Sequence, residues 1–296
     1  MSLKDKIKER AAQIHEEIRA IRHHIHQNPE LSFQEYETQK FIEQQLRSMG
    51  ITEVEHAANT GLVAYIRGKE NGKITALRAD MDALPIQEVE GRSYGSKNHG
   101  VMHACGHDVH STSLLGAAKI LNELKDSWEG TVKLLFQPGE EKMPGGASLM
   151  IKDGATKDTH SIIGQHVMPL LPVGTVGFRS GLYMASCDEI YLTVKGKGGH
   201  GAMPQYNIDP VLIMAHIITG LQQIVSRNAA PIIPSVLSFG KVIANGATNV
   251  IPNEVKLEGT FRTLDETWRA EALKKIEMMA QGIAEFGTEY SGERLD

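Results

Sequence analysis

Hydrophobic positions in the first 26 residues recur every three or four places. Ile7, Ala11, Ile14, Ile18, Ile21 and Ile25 fall on one face of a helix spanning 4–26. The helix ends at QNPELSF, because Pro29 disfavours helix for the residue before it. A second helix fits 34–48, stopped by Gly50. The pattern then shortens into apolar runs separated by turn residues: GLVAYIRG, ITALRADMDALP, VKLLFQPGEE and SIIGQHVMPL. Helical periodicity fits between some of them, at 111–124 and 146–152. Strands fed by helices predict an α/β fold with a mostly parallel central sheet.

Near residue 180 the pattern changes. DEIYLTVKGKG alternates like a half-buried strand, and DPVLIMAHIITGLQQIVSR is a helix with Asp209 at its cap and Pro210 in its first turn. PSVLSFGKVIANG and NEVKLEGTFRTL predict two more strands, followed by a helix from about 265 to 285. That order describes a smaller α+β unit separable from the part before it, with the division placed at 1–182 and 183–296. No internal repeat or low-complexity segment interrupts either part.

Composition narrows the class without naming a function. Of the 296 residues 41% are hydrophobic and 23% charged, ordinary values for a globular chain. The net charge of −5 is mild and unclustered, which gives no sign of a nucleic-acid or anionic-membrane partner. Two cysteines, Cys105 and Cys187, make no disulfide framework and suit a reducing compartment. No apolar run approaches the roughly 18–20 residues of a membrane span, and the charged N-terminus lacks a signal core. The expectation is a cytoplasmic protein.

Four stretches carry candidate chemistry. MHACGHDVHSTS holds Cys105 and His107, whose thiolate and imidazole suit zinc and related ions. Residues two apart share a side only on extended backbone, so this pair is expected on a loop or strand end. Alone it reads equally well as a helix start capped by Asp108 or Ser111. LLFQPGEE presents Glu140 and Glu141 beyond a strand, where one carboxylate can hold a metal while the other takes a proton from water. SIIGQHV closes on His166, and ITALRADMDALP ends with Asp80 and Asp82, one of which can orient an imidazole or a carboxylate. Each signal is weak by itself. If the four runs are parallel strands of one sheet, all these residues meet at one edge, and a metal site is the favoured outcome.

The same residues carry a resemblance. RADMDALP, MHACGHD.H, FQPGEE....GGA and GQHV resemble the motifs of the metal-dependent aminoacylase/carboxypeptidase superfamily, and VKGKGGHGAMP, TNVIPNE and GTFRT continue the match through the second unit. The nearest branch holds hippurate hydrolases, N-acetyl-amino-acid deacetylases and indole-acetyl-amino-acid hydrolases. The resemblance implies a zinc-peptidase-like catalytic domain with a smaller lid that also dimerises. It implies two divalent ions per subunit (zinc, manganese, nickel or cobalt), with Cys105, His107, Glu141 and His166 as ligands and Cys105 bridging. Glu140 matches the general base. Asp80 matches an acid behind the ligands, with Arg78 standing where other branches use a ligand histidine. His200 matches the group that stabilises the oxyanion. Asn249 and Arg262 match those that hold the substrate's amino-acid carboxylate, a task suited to a planar guanidinium.

Family members run past this length, and their last segment adds sheet strands and a further ligand histidine. Here no histidine follows His216, so the expectation is an incomplete catalytic domain with exposed apolar surface. The expected function is hydrolysis of the amide bond of N-acyl-amino acids. Two alternatives stay open: an inactive homologue acting only as a binding or dimerisation module, and a cysteine hydrolase using Cys105 with His107.

Overall fold

The computed structural model describes residues 2–289. The chain divides into two compact units between Thr175 and Val176, and each is described by itself.

The first unit opens with α1 (Leu3–Gln13) and α2 (His15–Gln27). The single helix expected over 4–26 is interrupted at Ile14, where ψ opens to 1°. Burial changes at the break: α1 buries nothing, whereas Ile14, Ile21 and Ile25 enter the core. Next come α3 (Tyr36–Ser48), β1 (Val54–Ala57), β2 (Gly61–Arg67), β3 (Lys69–Asp80), α4 (His107–Glu123), β4 (Glu129–Gln137), α5 (Gly146–Lys152) and β5 (Ser161–Gly164). The five strands form one sheet in the order β1-β2-β4-β3-β5.

This sheet is mixed. β3 pairs in parallel with both β4 and β5, while β1, β2 and β4 are successively antiparallel. The parallel part is the part that matters for chemistry, because it sets the C-terminal ends of β3, β4 and β5 at one edge. Asp80 lies opposite Gln137, and Arg78 lies between Leu135 and Gly164. Ile21, Ile25, Ile42 and Leu46 from the helices pack with Leu62, Leu134 and Phe136 of the sheet and Leu115 of α4. β5 is an edge strand, with Ile162 and Ile163 exposed.

The second unit contains β6 (Asp188–Lys195), β7 (Gly199–His200), α6 (Pro210–Gln223), β8 (Ser235–Ile243), β9 (Val250–Ile251), β10 (Glu254–Thr263) and α7 (Glu266–Glu289). β6, β10 and β8 make an antiparallel sheet with β10 in the centre, and β7 pairs with β9. Alternation along β10 turns Val255, Leu257 and Phe261 into a core with Ile213, Met214, Ile217 and Leu221 of α6 and Trp268, Ala272 and Ile276 of α7. Asp209 caps α6 by accepting from the N–H groups of Val211 (2.9 Å) and Leu212 (3.2 Å). Among the described residues no helix is long and apolar enough to cross a membrane.

One buried polar cluster ties α2 to α4. His26 lies 2.8 Å from Asp108 and 3.1 Å from Glu88, and the Arg22 guanidinium stands 2.7 Å from the same Asp108 oxygen. The hydrogen bond to Asp108 raises the His26 pKa above its usual 6.5; burial opposes this, and the bond to Glu88 adds to it. A histidine raised on folding stabilises fully below its unfolded pKa and loses that contribution as pH climbs through the folded value. His26→Gln should therefore destabilise most below about pH 6.5 and progressively less above it. Thermal midpoints of both proteins between about pH 5 and 9 check this, and a pH-independent gap refutes it.

Candidate metal centre

β3 delivers Asp80 and, just past its end, Asp82; both are buried. A buried carboxylate must find donors or neutralise. Asp82 Oδ2 accepts from the Ser32 hydroxyl (2.6 Å) and the Glu141 N–H (3.0 Å), while Oδ1 lies 3.1 Å from His107 Nδ1. Asp80 Oδ2 takes the Arg78 guanidinium at 2.6 Å, and Oδ1 takes His110 Nδ1 at 2.6 Å. Burial works to raise both acids. Their donors outweigh it: the His110 bond and the Arg78 charge bring Asp80 to about 2, and His107, Ser32 and the Glu141 N–H lower Asp82.

The acid that orients His107 is thus Asp82. Asp80 reaches the His107 ring only at 3.8 Å, on Nε2. Arg78 spends its guanidinium on Asp80 and on Gln137 Oε1 (2.9 Å), which makes it an anchor within the strand ends.

His107 does not sit on extended backbone. It is the first residue of α4, and Gly106 at φ +88° turns the chain between it and Cys105. A side chain at Gly106 would also press to 2.4 Å from Val167, so both the left-handed turn and the close approach require glycine. The expected pair is brought together by this turn, and the helix starts four residues earlier than its apolar pattern suggests.

His107 Nδ1 faces the Asp82 carbonyl (2.9 Å) as well as its carboxylate, so Nδ1 carries a proton and, in the neutral ring a metal ion requires, Nε2 offers its lone pair. That Nε2 is buried and has no hydrogen-bond partner, 3.8 Å from Glu141. His166 Nδ1 donates to the Val167 carbonyl at 2.7 Å, leaving its Nε2 3.4 Å from Cys105 Sγ. Ligand atoms of Cys105, His107 and His166 lie within 4.8 Å of one another, and so do those of His107, Glu140 and Glu141. An orphaned imidazole lone pair, a thiol and converging carboxylates are the donor set of a zinc-like divalent ion.

Electrostatics favours the same occupant. Burial and the neighbouring Glu141, Glu140 and Asp80 push the Cys105 thiol up to about 12. An anionic surrounding of that kind opposes a free thiolate nucleophile, whereas a bound cation compensates it. The Glu140 pKa is raised from its ordinary value, first by desolvation and then by the Glu141 charge.

His200, Asn249 and Arg262 belong to the second unit. His200 Nδ1 accepts from the Ala202 N–H (3.1 Å), which leaves Nε2–H free to donate. Asn249 lies beside it, its carbonyl accepting from Gly201 at 2.8 Å. Arg262 lines a groove of about 390 Å³ on the open face of the three-stranded sheet, with Tyr191, Ser238 and Thr260.

With this geometry in hand, comparison with known proteins is decisive. Residues 76–289 match Peptidase family M20/M25/M40. The chain belongs to this family. It is 44% identical to an N-acyl-L-amino acid amidohydrolase of Geobacillus stearothermophilus, across 95% of this chain and 76% of the relative. It is also 44% identical to the N-acetyl-L-cysteine deacetylase of Bacillus subtilis (strain 168), across 89% of this chain and 63% of that one. Among solved structures, the YXEP protein of Bacillus subtilis, a dinuclear metal binding peptidase of the M20 family, superposes with a TM-score of 0.75. It is 38% identical to this chain, covering 92% of it and 71% of YXEP. The M20 chain is thus a hydrolase of mixed α/β fold, and its clustered donors fit two divalent ions.

The resemblance gave the place behind the ligands to Asp80 and no role to His110; in the structure Asp82 bonds the His107 ring, and His110 bonds Asp80. The regular acid spacing DMD and the helical spacing of His107 and His110 were the available signals. Asp82→Ala should free the His107 ring and lower metal affinity by roughly 10–100-fold. Calorimetric titration of metal-free protein with zinc measures it, and unchanged affinity contradicts the orienting role.

Proposed function

We propose that this M20 chain hydrolyses the amide bond of N-acyl-amino acids, releasing a carboxylate and a free amino acid. The observation that carries the reading is the unpartnered, buried Nε2 of His107 facing the carboxylates beside Cys105 and His166. Cys105, His107, Glu141 and His166 would hold two divalent ions, of which zinc, manganese, nickel and cobalt all suit the donors. Ions bound there supply Lewis acidity toward the acyl oxygen and a lowered pKa for water.

Glu140 is the proton carrier. Its raised pKa brings it closer to the acidity useful near neutral pH. It removes a proton from water as the water oxygen bonds to the acyl carbon, then gives that proton to the amine nitrogen as the C–N bond breaks. His200, with Nε2–H free, is the donor assigned to the developing oxyanion. Arg262 and Asn249 are assigned to the substrate's carboxylate; Arg262 is exposed on its strand, and a guanidinium fork matches that anion.

The amidohydrolase and deacetylase names of the two relatives support hippurate-like and N-acetyl-amino-acid substrates. The first unit is the catalytic domain in this reading. The second is a lid through which a homodimer forms, and the compartment is the cytoplasm.

Glu140→Gln tests the assignment. Turnover of hippurate or an N-acetyl-amino acid should fall by roughly 10²–10⁴-fold while metal content per chain stays that of the unaltered protein. Loss of metal in the variant would make Glu140 a ligand. Absence of hydrolysis by the unaltered chain with both ions bound would favour a binding module.

A further inference from the structure

His110 lies beside the centre yet has no nitrogen to offer it. It is buried on the first turn of α4, one helical turn beyond His107, and its ring centre is 4.5 Å from that of His166. Its Nε2 is 2.9 Å from the backbone nitrogen of Val167, whose N–H can only donate. Nε2 must therefore be the acceptor, and the ring proton sits on Nδ1, 2.6 Å from Asp80 Oδ1. Arg78, ion-paired to the other Asp80 oxygen at 2.6 Å, keeps that carboxylate an acceptor. Both imidazole nitrogens are used, although His110, Asp80 and His107 together have the spacing of a metal cluster.

The bond to Val167 matters because of where it falls. Pairing between β3 and β5 ends at Arg78 and Gly164, so the ladder does not reach His166. The His166–Val167 segment is fixed beyond the sheet by the Val167 N–H on His110 and by the Val167 side chain against Gly106. His166 in turn has Nδ1 on the Val167 carbonyl and Nε2 toward Cys105.

We propose that His110 is a positioning residue: held in one tautomer by Asp80, it accepts the Val167 backbone N–H and so aims His166 at Cys105. The inference rests on Cys105 and His166 being ligands, as in the proposed function. It adds a chain of constraint, Arg78 to Asp80 to His110 to Val167, that links the end of β3 to the segment after β5. The links are directional. A guanidinium and an amide N–H at the two ends both donate, so a single proton, on His110 Nδ1, completes the chain.

Cobalt titration of the metal-free full chain tests this, because thiolate-to-cobalt absorption and the cobalt d–d bands report the geometry around Cys105. His110→Ala should weaken cobalt binding by roughly 10–100-fold and shift the d–d bands. His110→Gln should recover part of both, since its amide offers an N–H toward Asp80 and an oxygen toward Val167. His166→Ala is the reference. If it alters affinity and spectrum while His110→Ala leaves both unchanged, the positioning role is overturned and the ligand assignment stands. If His166→Ala also changes nothing, the ligand assignment falls and the inference with it. A measurement on the unaltered protein guards against variants that fail to fold: imidazole ¹⁵N shifts should show His110 protonated on Nδ1 alone. A proton on Nε2 overturns the proposal.

Discussion

Two buried carboxylates at the end of one strand set the terms for the rest of the first unit. Asp80 and Asp82 are each about 1% exposed. Charge that is taken out of water must be met by donors of good geometry, or it costs several kcal/mol. The chain meets it from four directions: Arg78 on the strand itself, Ser32 before α3, the first turn of α4, and the backbone after β4. Because His107 and His110 are three apart on a helix, one turn supplies a separate imidazole to each acid. The acids therefore fix where α4 begins, and α4 fixes the two rings.

That arrangement separates orientation from ligation. His107 spends Nδ1 on Asp82 and keeps Nε2 bare, whereas His110 spends both nitrogens on protein groups. Two histidines of the same turn with similar burial thus take different roles, decided by what lies behind each ring. The thiol with its His166 partner, the bare Nε2 of His107 and the two glutamates then face a common space whose charge calls for a cation.

The second unit is built on a different rule. Its antiparallel sheet has helices on one face only, so alternate residues along β6, β8 and β10 are core and surface. The surface positions are where Tyr191, Ser238, Thr260 and Arg262 stand together. Membership of the M20 family joins these two constructions in one hydrolase, and the relatives' names direct attention to acylated amino acids.

Periodicity determined much by itself. The runs at 61–68, 74–85, 132–141 and 161–170 were legible as strands and the Asp209–Pro210 start of α6 as a helix. These are local signals, written in side-chain spacing. The candidate donors at strand ends were legible for the same reason: apolar runs stop where polar chemistry begins. Tertiary structure alone decided the rest, because it depends on contacts between residues far apart in the chain. The antiparallel course of β1 and β2 follows from pairing with β4, and the early start of α4 follows from Asp80 and Asp82 claiming His110 and His107. Which aspartate serves which histidine is a matter of ångströms between segments some 25 to 30 residues apart. No spacing rule in a sequence encodes that distance; burial of two charges does.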